Sequence, residues 1–183
     1  GSAVQAGRCR EVPGSTEVAN GEARIAVTTI GQGKPLLLLP SLGRGAHDFD
    51  PLVPYLQASG YQPVLADPRG FGRSRGPQPR SLADLADDMA AVIDSLCSGP
   101  VDVVGHAFGQ RVARTEGVAE NDRLQALQRV FFARGNDARV WLPGWSVPLA
   151  RAQRYADRQT AVSDWWAGGQ AAILVVHAEE DPI

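Results

Sequence analysis

Val103-Val104-Gly105-His106-Ala107-Phe108-Gly109 reads as the end of a short strand, a tight turn and the start of a helix with Val112 turned inward. Small residues flank the turn because the backbones there must approach closely. The same alternation recurs upstream. Leu36-Leu37-Leu38-Leu39 is bounded by Pro35 and Pro40 and is too short for a buried helix, which predicts a strand covered on both faces. A Gly-rich loop, Ser41-Leu42-Gly43-Arg44-Gly45, follows it, and then Phe49, Leu52, Val53 and Leu56 at helical spacing. Pro63-Val64-Leu65-Ala66-Asp67 is a second apolar strand, and Val101-Asp102-Val103-Val104 a third. Strands alternating with helices predict parallel pairing and a three-layer α/β domain.

Between the second and third strands, Ser81 with Asp84 three residues on has the form of a capping box. Leu82, Leu85, Met89, Ile93 and Leu96 then make one apolar stripe. Before the first strand, Asn20-Gly21 precedes an alternation that puts Ala23, Ile25, Val27 and Thr29 on one face, the pattern of a β-hairpin. Residues 1–15 have no hydrophobic period and are expected to form a loosely held arm. The expected organisation is this arm, a core over 16–121, a helical, Trp-rich segment over 122–168, and a returning core strand and loop over 169–183.

The chain has 183 residues, 44% hydrophobic and 21% charged, with 18 Lys and Arg against 20 Asp and Glu and a formal net charge of −2. This balance offers no basic footprint for nucleic acid. The longest apolar runs fall far short of the roughly 20 residues that span a bilayer, so no membrane span is expected. Gly1-Ser2-Ala3 has the form of a remnant left by tag removal, which leaves localisation open between the cytoplasm and export. Cys9 and Cys97 make neither a disulfide framework nor a zinc site, and both are expected to be free thiols. Neither a metal nor another cofactor is expected.

With Ser at its centre, Gly105-His106-Ala107-Phe108-Gly109 would be the nucleophile elbow of the α/β-hydrolases. The resemblance extends further. Leu36 to Arg44 is similar to that family's third strand and oxyanion loop, Asp67-Pro68-Arg69-Gly70-Phe71-Gly72-Arg73-Ser74 to its DxRGxGxS segment, and Ile173 to Asp181 to the strand and loop that deliver the triad acid. The group resembled holds esterases, haloperoxidase-like enzymes and carbon-carbon bond hydrolases. It implies a mostly parallel sheet under a helical cap, incomplete at the C-terminus.

Position by position, the resemblance puts Ala107 at the nucleophile place, the amides of Phe108 and Leu42 in the oxyanion hole, and Asp181 at the triad acid. A turn role beside Pro182 is the other reading of Asp181. The methyl group of Ala107 has no lone pair to attack with, so serine-type acyl transfer is closed at that position. Other departures are Pro40-Ser41 where the family commonly has His-Gly, the short span from Arg114 to Asp122, and an end at Ile183 before any triad histidine. His106 is placed in the pocket beside the elbow, and His47 and His177 are weaker candidates. Trp141, Trp145, Trp165 and Trp166 either roof the pocket or pack an ordinary core, while Arg69 and Arg73 are expected to brace their loop.

These observations predict a hydrolase of small ester or related acyl substrates by lineage, impaired by Ala107, with a small apolar ester-like ligand as its partner. A homodimer is compatible. The alternatives are a naturally non-catalytic ligand-binding protein on the same fold, and an interaction module that docks through a sheet edge.

Overall fold

The structure, a computed structural model, describes residues 7–106 and 135–166 together with Ala172 and Leu174. A short strand β1 (Arg8–Cys9) pairs antiparallel with β6 (Cys97–Ser98) in a two-stranded ribbon. The main sheet runs in the order β2 (Val12–Asn20), β3 (Ala23–Thr29), β5 (Tyr61–Ala66), β4 (Lys34–Leu39) and β7 (Asp102–Gly105). β4 is parallel to both β5 and β7, and only β3 runs against the rest. The three apolar strands expected from the sequence are therefore parallel neighbours. The helix after the elbow lies outside the described residues, as do positions 171, 173, 175 and 176 of the expected buried strand, whereas its Ala172 and Leu174 are exposed and belong to no strand.

Burial explains the three layers. In β4, Leu37 joins Val27, Val64, Ala66, Val92 and Leu96 on one face of the sheet. Leu36 and Leu38 point the other way, packing with Phe49, Val53 and Leu65. One face is covered by α2 (Leu82–Leu96), the other by a 3-10 turn (Ala46–Phe49) and α1 (Val53–Ala58). A strand buried on both faces must be apolar at every position, which is why four consecutive leucines mark it.

Several local expectations are corrected. The hairpin forms, but Asn20 pairs with Ala23, so Gly21 and Glu22 are the turn residues. Gly21 has φ +55°, a conformation that glycine adopts without steric cost, at the first central position of the turn. Ser81 caps α2 without a side-chain bond, and the Asp84 carboxylate instead accepts from the Arg80 amide at 2.7 Å. The helix face is centred on Asp88, Val92 and Leu96, with Met89 and Ile93 at its margin.

The described part of the expected loose arm is held in place, with β1 and the start of β2 inside it. Buried Gln62 holds both backbone groups of Cys9, accepting from its amide at 3.1 Å and donating to its carbonyl at 3.0 Å. Thr29 Oγ1 accepts from the Val12 amide at 2.7 Å and donates to the Arg10 carbonyl at 2.8 Å. Cys9 and Cys97, expected as free thiols, form a disulfide across the β1–β6 ribbon. Their separation of 88 residues hid the pairing, because nothing local signals a cross-strand partner that distant.

No thiol should titrate in unfolded, unreduced protein, and two reactive thiols would contradict the crosslink. Replacing Cys97→Ala should lower the unfolding free energy by about 2–4 kcal/mol in denaturant titrations.

Candidate active site

The loops after the carboxyl ends of β4 and β5 meet at one edge of the sheet, and His106 at the end of β7 stands at the same edge. Ligands of open α/β sheets bind outside this edge. After β4, residues 40–45 turn sharply at Gly43, whose φ is +73°. The Gly43 amide donates to Gln153 Oε1 at 2.8 Å and its carbonyl accepts from the Ser146 amide at 2.9 Å. Both partners belong to α3 (Val147–Arg158), Ser146 as its N-cap and Gln153 on its buried side. Leu42 is buried, and among the described residues its amide has no acceptor.

Arg44 binds this loop to the segment above it. Its Nε and Nη2 grip the two oxygens of Asp48 at 2.7 and 2.5 Å. Its Nη1 donates to the carbonyls of Trp141 and Pro143 at 3.0 and 2.7 Å. The guanidinium carbon lies 5.7 Å from the ring centre of Trp141 and 5.2 Å from that of Trp145. Arg44 is only 3% exposed, so the pair with Asp48 is a buried one. Trp141 and Trp145 thus close over Arg44 at this edge. The side chains of Trp165 and Trp166 lie outside the described ones.

The loop after β5 is braced separately. Arg69 makes a two-pronged ion pair with Asp88 of α2, both contacts at 2.6 Å, and Asn20 Nδ2 adds a third bond to that carboxylate at 2.9 Å. This matches the bracing role expected of Arg69. Asp67 Oδ1 accepts from the Ala46 amide at 2.8 Å, and burial pushes its carboxyl pKa above the ordinary aspartate value despite that bond. The ring of Phe71 occupies the space above Gly45 that any side chain would need, and stacks on His47 at 5.8 Å.

At the end of β7 the His106 amide donates to the Leu39 carbonyl at 3.0 Å. The imidazole meets Trp141 edge-on at 5.6 Å and Phe49 at 6.5 Å. One side stays open to solvent, yet the partial loss of water pushes its pKa below the usual histidine value, with Arg44 adding to the shift and Asp48 opposing it.

The structure therefore brings together Leu42 and His106, which the sequence singled out, and adds Arg44, Asp48 and Gln153, which it did not. An arginine inside a Gly-rich loop, with an aspartate four residues on and tryptophans downstream, was the available signal. Ala107, Phe108, Asp181 and His177 lie outside the described residues. A cavity of about 490 Å³ lies at the opposite pole, beside Lys34 and Gln62 at the amino ends of β4 and β5, and does not belong to this edge.

A family description for the alpha/beta hydrolase fold matches residues 34–127. The chain belongs to the α/β-hydrolase fold family. It is 35% identical over 108 residues to a protein of Azorhizobium caulinodans named as a carbamate hydrolase (RutD), a match covering 58% of this chain and 40% of that protein. It is 29% identical over 156 residues to epoxide hydrolase B of Mycobacterium tuberculosis, covering 82% of this chain and 44% of that one. The chain thus spans under half the length of these relatives. A hydrolase from Pseudomonas aeruginosa superposes with a TM-score of 0.55 at 19% identity, covering 84% of this chain and 76% of that structure, which bears on the fold alone.

Two outcomes are expected. Replacing Arg69→Met leaves Asp88 buried and short of its cation, and should cost about 3–5 kcal/mol in denaturant unfolding. A histidine whose folded pKa is depressed binds its proton more weakly folded than unfolded. Its contribution to stability is therefore full above its unfolded pKa of about 6.5 and is lost as the pH falls through the folded value. His106→Gln should flatten that acid limb in melting temperatures recorded against pH.

Proposed function

We propose that this chain comes from a hydrolase of small ester or related acyl compounds, and that as written it binds such a ligand without turning it over. The observation that carries this reading is the Leu42 amide. Among the described residues it is a backbone donor without an acceptor, in the loop after β4 that Gly43 and Arg44 hold in place. A donor fixed in advance is what a developing oxyanion needs, and no side-chain replacement removes it. Relatives named for carbamate and epoxide hydrolysis support a small neutral electrophile as ligand.

The resemblance puts Phe108 in the role of second oxyanion donor, Ala107 at the nucleophile place and Asp181 at the triad acid. Nucleophile, base and orienting acid act as a unit, so losing the first removes most of the rate. The resemblance gives His106 a place in the pocket beside the elbow, not that of the base. Binding without chemistry is also what the non-catalytic alternative requires.

Turnover of p-nitrophenyl esters should be negligible for this chain and for Ala107→Ser. It should appear when Ala107→Ser is joined to a C-terminal segment from a relative that carries the triad histidine. Rapid, saturable hydrolysis by the unaltered chain would overturn the assignment of Ala107.

A further inference from the structure

Among the described residues, one buried side-chain nitrogen makes no hydrogen bond: the indole Nε1 of Trp145. A buried donor without an acceptor has given up its water for nothing, so such groups are rare and are satisfied when a water, an ion or a ligand supplies the acceptor. Trp145 stands at the edge just described. Its Cε3 is 3.4 Å from where a side chain on Gly43 would begin, and its ring lies under the Arg44 guanidinium.

Among the described residues, the neighbouring acceptors named next already receive a donor. The carbonyls of Trp141 and Pro143 and both Asp48 oxygens receive Arg44, the Gly43 carbonyl receives the Ser146 amide, and Gln153 Oε1 receives the Gly43 amide. Two donors on either side of Gly43, the Leu42 amide and the Trp145 indole, are left over.

We propose that Trp145 is a specificity-determining residue whose indole N–H donates to a bound ligand, and that the ligand it selects is a neutral carbonyl compound rather than a carboxylate. The inference rests on the acyl-ligand reading of this edge and deepens it. Charge decides between the two ligand forms. The cation of Arg44 is cancelled by Asp48 at contact distance, and its remaining reach is taken by the roof carbonyls. Asp67, bound to the Ala46 amide of the adjoining turn, adds negative character when ionised. Beside Asp48 the imidazole of His47 lies at 3.5 Å. Among the described residues of this cluster, an entering carboxylate would lose its hydration with no arginine or lysine free to replace it, whereas an ester or carbamate oxygen loses little water and gains a directed hydrogen bond.

The test is calorimetric titration of the unaltered chain with methyl benzoate and with benzoate, repeated on Trp145→Phe. Methyl benzoate should bind saturably and at least roughly tenfold more tightly than benzoate, and Trp145→Phe should weaken it by about 2–13-fold, the range expected for one hydrogen bond. Phenylalanine leaves part of the indole volume empty. The same titration with benzothienylalanine at position 145, which replaces only the N–H by sulfur, keeps the shape and should give the same loss without lowering the melting temperature of the ligand-free protein.

Equal binding by the isosteric variant would overturn the role of Trp145 while leaving the acyl site standing. A lower melting temperature of that variant would show an acceptor within the protein, and would overturn it as well. Benzoate binding as tightly as its ester would overturn the selection by charge. Failure of methyl benzoate to bind the unaltered chain would overturn the reading of the site, and the assignment of Trp145 with it.

Discussion

A guanidinium removed from water must replace each hydration contact it loses, and Arg44 does so on two parts of the chain at once. Asp48, four residues on, takes the charge. The carbonyls of Trp141 and Pro143, nearly a hundred residues away, take the remaining reach, and two indole rings close over it. Separating loop 40–45 from the segment above would strand a buried charge. The roof of this edge is therefore a fixed part of the site. Gln153 and Ser146 repeat the coupling through Gly43, and Thr160 repeats it again by accepting from the Leu82 amide at the start of α2. Whatever binds meets donors whose positions are already set, so their reorganisation need not be supplied on binding.

The loop after β5 shows the same logic with a different pair. Arg69 and Asp88 tie it to α2, Ser74 ties it to β3 by receiving the Ala26 amide, and Asp67 ties it to the turn that follows Arg44. The loops after β4 and β5 are both anchored by polar side chains satisfied inside the protein. Burying charge in this way adds little net stability relative to apolar packing, but it permits few alternative arrangements.

How much of this was legible in the sequence divides along physical lines. Leu36 to Leu39 and Val64 to Ala66 were readable as strands because two-faced burial demands unbroken apolar runs, with proline and glycine at their limits. The hairpin was readable from its alternation, although its turn lies one residue further along. Asp88, Gln62 and Thr29 were not readable, because a polar residue inside a helix or strand reveals nothing about a partner found only after folding. Of the site, Leu42 and His106 could be placed from the order of the motifs. Arg44 carried a local hint in Asp48, but its carbonyl partners lie too far along the chain for any pattern to connect them. The free-thiol expectation failed for the same reason of distance.

The crosslink between Cys9 and Cys97 encloses β2 through α2, including both loops just described after β4 and β5. A peptide bond cut anywhere inside that ring, for example in the exposed residues 75–78, would leave the two pieces covalently joined and still paired strand to strand. The first half of the molecule is therefore topologically a closed circle, and its sheet can outlast the continuity of its own backbone.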